Sequence, residues 1–159
     1  MDKNEINVHI GEVKMGKGDQ VLHSLLGSCV GISILWPNKG IYGLAHCLLS
    51  ESPKKDYSFG AKYVDQAIHS LIILMKISKE EFKNINAIVV GGGNMTQPKD
   101  TGENDLIGSL NAKCAIDTLK QLKINVIHQD IGGANGKKLS IFCKNGEFKI
   151  KKIPKTKFK

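Results

Sequence analysis

A chain of 159 residues has the length of one domain, enough to bury a core without disulfides or metals, and its 41% hydrophobic and 24% charged content is not that of a disordered polymer. The net charge of +8 comes from 23 lysines and no arginine, seven of the lysines lying between Lys144 and Lys159. It reads as a solvated basic tail, not as a nucleic-acid surface, which draws on the bidentate guanidinium.

The polar start, Met1-Asp2-Lys3-Asn4-Glu5, leads into no apolar segment, and the run Leu71 to Met75 is too short to cross a bilayer. A cytoplasmic protein with no membrane insertion is expected. Ile6 to Lys14 alternates loosely and predicts a strand, Gly16 to Asp19 a turn, and Val21 to Leu26 a second short strand ended by Gly27-Ser28. Cys29 to Trp36 and Ile41 to Leu48 are strand-like runs joined by Pro37-Asn38-Lys39-Gly40, a hairpin signal. Ser50 to Ser58, with Pro53, is a loop. Apolar residues at 61, 64, 67, 68, 71, 72 and 75 have helical spacing. Ser78 with Glu81 has the form of a capping box for a brief helical turn. Ala87 to Val90 is a buried strand running into Gly91-Gly92-Gly93. A loop with Pro98 and Gly102 follows, then a helix from about Asp105 to Leu122. Ile124 to Ile131 and Lys137 to Cys143 are strands around the turn Gly132 to Gly136, and Glu147 to Ile150 is the last. The whole predicts one α+β domain over residues 1–150 and a Lys-rich tail over 151–159.

Four cysteines, at 29, 47, 114 and 143, form no C-x-x-C pair, so neither a zinc site nor a dithiol redox motif is indicated. If Trp36 pairs with Ile41, then Ile34 faces Gly43, Ile32 faces Ala45 and Val30 faces Cys47, which makes one apolar face. His46 then lies opposite Gly31 and diagonal to Cys29, within reach of an imidazole, with Gly31 leaving room for the ring. A bulge at Gly40 would slip the pairing by one residue and put Cys29 and His46 on opposite faces. An imidazole beside a thiol suits acyl chemistry on an amide, because it can take the thiol proton. Gly27 before Ser28-Cys29 permits a tight turn whose N–H groups can serve an oxyanion. Spacing alone leaves a second reading open, a small buried thiol near a satisfied histidine. Cys47, Cys114 and Cys143 read as core. His9, His69 and His128 show no pairing pattern. Gly91 to Gly93 lacks the spacing of a dinucleotide loop, and Lys99 is not placed as a P-loop lysine.

The residues Leu26-Gly27-Ser28-Cys29-Val30-Gly31, Gly43-Leu44-Ala45-His46, Gly91-Gly92-Gly93-Asn94-Met95, Ile107-Gly108 with Asn111, and Asp130-Ile131-Gly132-Gly133 with Gly136 resemble the CheD family of chemoreceptor glutamine deamidases, in the family's order. The resemblance covers roughly residues 8 to 150. It implies a sandwich of mixed strands with about two main helices outside. It also implies hydrolysis of glutamine amides on methyl-accepting chemotaxis receptors, with Cys29 as nucleophile and His46 as base, and no metal or organic cofactor. Gly27 and Ser28 match the active-site turn. A CheC-type phosphatase is implied as a partner, and a monomer is expected. The third family position, usually a Thr six residues before the cysteine, is His23 here. A neutral His23 could accept a hydrogen bond from His46, or could point away and leave that role to a backbone carbonyl. Rival readings are another thiol amidohydrolase, a transglutaminase-like transfer, and a non-catalytic adaptor that binds CheC or receptors.

Overall fold

In the computed structural model, which describes residues 4–55, 57–93 and 107–154, period-two runs become strands and the spacing after Gly60 becomes a helix. In chain order the elements are β1 (Glu5–Asn7), β2 (Val13–Lys17), β3 (Val21–Leu26), β4 (Val30–Trp36), β5 (Ile41–Cys47), α1 (Val64–Leu74), a 3₁₀ turn (Lys79–Asn84), β6 (Asn86–Gly91), α2 (Ile107–Gln121), β7 (Asn125–Ile131), β8 (Gly136–Phe142) and β9 (Glu147–Ile153). Two mixed sheets form, one in the order β1-β3-β8-β9 and the other β2-β5-β4-β6-β7.

Central strand β4 is buried along its whole length, as a near-continuous apolar run requires. Val30, Ile32, Ile34 and Trp36 share one side with Ala45 and Cys47 and pack under α1 and α2. The other side of the same sheet presents Leu35, Leu44, Ile88 and Val90 to Leu22, Leu26, Leu139 and Ile141 of the first sheet. The result is an α+β sandwich with both helices outside it, as expected from the sequence. No described helix is long and apolar enough to cross a membrane.

The hairpin takes the unslipped register: Trp36 pairs with Ile41, Ile34 with Gly43, Ile32 with Ala45, Gly31 with His46 and Val30 with Cys47. Its turn closes through Lys39 N–H to the Trp36 carbonyl and Gly40 N–H to the Pro37 carbonyl, both 3.1 Å. Gly40 supplies the left-handed backbone, φ 66°, that ends the turn without a bulge.

Four local expectations change. The run Ile6 to Lys14 is not one strand: the chain leaves the first sheet after Asn7, turns at Gly11 (φ 85°), and enters the second sheet at Val13. Alternation continues through the break, so the pattern could not register a change of sheet. Gly16 and Lys17 belong to β2, and the turn falls after them. Strand β9 runs on to Ile153, pairing Lys151 and Lys152 with Lys138 and Lys137, so three residues assigned to the tail are sheet. Ser78 precedes the 3₁₀ turn but makes no side-chain cap. Asn94, Met95, Pro98, Lys99, Gly102, the helix start expected at Asp105, and tail residues 155–159 lie outside the described residues.

Candidate active site

Cys29 sits in the turn 27–29, where the chain crosses from β3 in one sheet to β4 in the other. Two amides hold this turn from behind. Gly92 N–H donates to the Cys29 carbonyl and Gly93 N–H to the Gly27 carbonyl, both at 2.9 Å. A Cβ on Gly91 would stand 2.3 Å from the Cys29 carbonyl oxygen, at a φ of 115°. The triple glycine is therefore a cradle for the cysteine turn, a role its spacing did not reveal. With the carbonyls of 27 and 29 drawn to one side, the Ser28 and Cys29 N–H groups carry no hydrogen bond to a described residue. Ser28 is exposed, while the Cys29 side is nearly closed, at 8% exposure.

His46 lies on β5 directly across from Gly31. Its own amide donates to the Glu12 carbonyl and its carbonyl accepts from Gly11, so the crossing segment between β1 and β2 frames it. Nδ1 lies 2.9 Å from Ser24 Oγ and 3.2 Å from the Val8 carbonyl, and Ser24 Oγ donates to that same carbonyl at 2.8 Å. A carbonyl can only accept, and the one serine proton is spent on it, so the inventory of donors puts the imidazole proton on Nδ1. Nε2 then carries the free lone pair. No hydrogen bond joins the Cys29 thiol to His46; Cys29 immediately precedes β4, whose Gly31 pairs with His46 of β5.

The family description "CheD chemotactic sensory transduction" matches residues 48–152. The probable chemoreceptor glutamine deamidase CheD 2 of Ruegeria sp. (strain TM1040) is 40% identical, over 98% of this chain and 97% of its own. The probable chemoreceptor glutamine deamidase CheD of Bdellovibrio bacteriovorus is 34% identical, over 96% of this chain and 97% of its own. The chain belongs to the CheD family. The family match begins after His46, whereas the full-length relatives span the segment that holds Cys29 and His46. Among solved structures, the hypothetical protein YfiH of Bacillus licheniformis aligns with 77% of this chain and 50% of its own, with a TM-score of 0.44 at 12% identity.

In this CheD chain His23, the residue at the third family position, points away from His46. Its Nδ1 lies 2.8 Å from Ser140 Oγ and its Nε2 2.8 Å from Glu5 Oε1, on the opposite side of β3 from Ser24. Period-two alternation explains this: Leu22, Ser24 and Leu26 face the second sheet, so His23 cannot. Ser24, unnoticed in the sequence reading, is the hydroxyl that meets the imidazole. The available signal was a lone polar residue between two apolar ones on the inner side of a strand. The room expected above Gly31 for the ring is also otherwise used. A Cβ there would lie 2.8 Å from Leu26 Cδ1, so Gly31 admits Leu26.

Burial shifts both groups of this CheD site toward their neutral forms. Desolvation lowers the His46 pKa from 6.5, opposed by the Val8 carbonyl, which favours a proton. Desolvation raises the Cys29 thiol above its ordinary 9.0. At neutral pH the pair is thus a thiol and a neutral imidazole, not a preformed thiolate–imidazolium pair. Cys47, Cys114 and Cys143 are free thiols; Cys47 is fully buried under the helices and its thiol pushed well up by that burial, Cys143 is buried at the end of β8, and Cys114 is half-buried on α2.

Ser24→Ala should remove one of the two oxygens that hold Nδ1–H and leave the Val8 carbonyl. The expected loss is about 1 kcal/mol of orientation, a several-fold fall in kcat with little change in KM, read from steady-state kinetics.

Proposed function

We propose that this chain hydrolyses glutamine side-chain amides on methyl-accepting chemotaxis receptors to glutamate and ammonia, through a thioester on Cys29 with His46 as general base and acid. The observation that carries the reading is the cross-sheet contact of Ser24 and Val8 with His46 Nδ1, which leaves Nε2 as a proton acceptor, together with a cysteine turn whose Ser28 and Cys29 N–H groups have no partner among the described residues. The printed names of full-length relatives, chemoreceptor glutamine deamidases, support the substrate.

On this reading His46 Nε2 takes the Cys29 proton as the glutamine carbonyl approaches, and the sulfur attacks Cδ. The thiol–imidazole contact closes in the substrate complex, as such contacts commonly do. The Ser28 and Cys29 N–H groups receive the oxyanion. His46 returns its proton to the leaving nitrogen, ammonia departs, and a water activated by His46 cleaves the thioester. A protein substrate suits the surroundings, since Ile10 and Leu48 are exposed apolar residues within two positions of Glu12 and His46. The same reading makes a CheC-type phosphatase a partner that competes with receptors. It also makes the protein a cytoplasmic monomer, with a deamidase domain that takes in β9 through Ile153.

The test is incubation with a receptor cytoplasmic fragment and peptide mass spectrometry. Each converted glutamine gains about one dalton as NH₂ is replaced by OH, with ammonia released in equal amount. Crosslinked chains in place of that shift would indicate a transferase; binding without either would leave an adaptor.

The neutral pair also sets the pH dependence. A base of lowered pKa stays competent into acid, so the acid limb of kcat/KM should fall below pH 6.5. Without substrate, alkylation of Cys29 should accelerate with pH and have its midpoint above 9.0. A midpoint near neutrality would instead reveal a preformed ion pair.

A further inference from the structure

We infer that the Asp130–Lys137 ion pair is a positioning clamp that ties the two sheets together at the end of the sandwich holding Cys29, and so sets the place of the cysteine turn. The inference rests on Cys29 being the nucleophile.

Lys137 breaks the pattern of its strand. On β8 it alternates with Leu139 and Ile141, both fully buried, and pairs with Leu26 of β3, so it occupies an inward position where an aliphatic residue would pack. Its side chain is 5% exposed. Nζ donates to Asp130 Oδ1 at 2.7 Å and to the Asp130 carbonyl at 3.0 Å. The Lys137 ammonium is buried while the Asp130 carboxylate is 38% exposed, and an apolar residue at this inward position would carry no desolvation cost, so packing alone does not call for this charge.

Its location says what it does. Asp130 is on β7 in one sheet and Lys137 on β8 in the other, so the bond spans the sandwich and closes the turn 132–135. That turn lies beside the other crossing at this end, the cysteine turn 27–29. Gly132 N–H donates to the Gly91 carbonyl at 2.9 Å. A Cβ on Gly93 would lie 3.3–3.4 Å from the carbonyl oxygens of Asn135, Gly27 and Gly133, so both turns press on one glycine. Gly93 and Gly92 in turn hold the Gly27 and Cys29 carbonyls. The hydrogen bond from His46 Nδ1 in one sheet to Ser24 Oγ in the other depends on the same separation between sheets. Without the clamp, the turn 132–135 loses the bond that holds it against the Gly91–Gly93 cradle behind the cysteine turn.

The experiment compares K137M and the double variant D130N/K137M with the wild-type chain. Melting temperature, kcat and KM on a receptor fragment, and the iodoacetamide rate at Cys29, read by peptide mass with Cys114 as internal reference, are measured. The double variant leaves no unpaired buried charge and should melt near the wild type. Its kcat should fall roughly tenfold to a hundredfold at unchanged KM, as a misplaced reacting group implies, with a several-fold change in rate at Cys29 and none at Cys114. A folded double variant with wild-type kcat and Cys29 reactivity overturns the inference. So does loss of the fold in both variants, which would make the pair structural only. If the wild-type chain converts no glutamine, the proposed function fails, and the Cys29 rate by itself decides the clamp.

Discussion

Cys29→Ala is expected to lose receptor deamidation by at least about a thousandfold while the protein keeps its melting temperature and its affinity for the receptor fragment. The size follows from removing the atom that forms the covalent intermediate, since what survives such a deletion is substrate positioning and oxyanion binding alone. The stability expectation follows from place. The sulfur lies in a turn outside both hydrophobic clusters and makes no hydrogen bond to a described residue, so its loss leaves no large cavity and no orphaned partner. The turn is held by backbone bonds from Gly92 and Gly93, which alanine leaves intact. Mass spectrometry of the fragment, a thermal melt and a binding isotherm read the three quantities. Wild-type conversion rates in the variant would end the assignment of Cys29.

Gly91→Ala is expected to destabilise the chain by about 3 kcal/mol or more and to lower kcat at least about a hundredfold in whatever fraction folds. Two costs coincide at this residue. Its φ of 115° is one that L side chains rarely adopt, and the new Cβ would lie 2.3 Å from the Cys29 carbonyl oxygen and 3.3 Å from the Val30 Cα. Neither obstacle is the end of a flexible side chain. Relief requires that β6 or the cysteine turn move, and Gly91 pairs with Val30 where β4 begins. A fall in melting temperature of about 6–12 °C is the thermal counterpart for a chain of this size. Gly18→Ala is the comparison: φ is 63°, yet nothing lies within 4 Å of the added carbon, so only the left-handed penalty of about 1 kcal/mol applies and activity should not change. Equal effects at the two positions would show that strain alone, not the cradle, is being measured.

Local patterning in the chain was enough for much of this. The Pro37–Gly40 turn between two alternating runs marked the hairpin, and of the two registers the sequence left open the fold takes the one that keeps Val30, Ile32 and Ile34 in the core. That register in turn set His46 opposite Gly31. The same alternation misjudged Ile6 to Lys14, where a change of sheet at Gly11 leaves the period untouched. It also offered no way to choose between His23 and Ser24 as the neighbour of the imidazole, since both are polar and only the stacking of one sheet on the other says which side of β3 is inward.

By itself, then, the amino-acid order determined the α+β class, the hairpin, the cysteine turn and the chemical types able to attack an amide. These rest on near neighbours, turn residues and period-two burial. The tertiary structure alone decided the tautomer of His46, through oxygens 22 and 38 residues away in sequence. It also decided the duty of Gly91 to Gly93 behind Cys29, and the inward turn of Lys137 toward Asp130. Each of these is a contact between layers, and the distance between two packed sheets is written in no single stretch of chain.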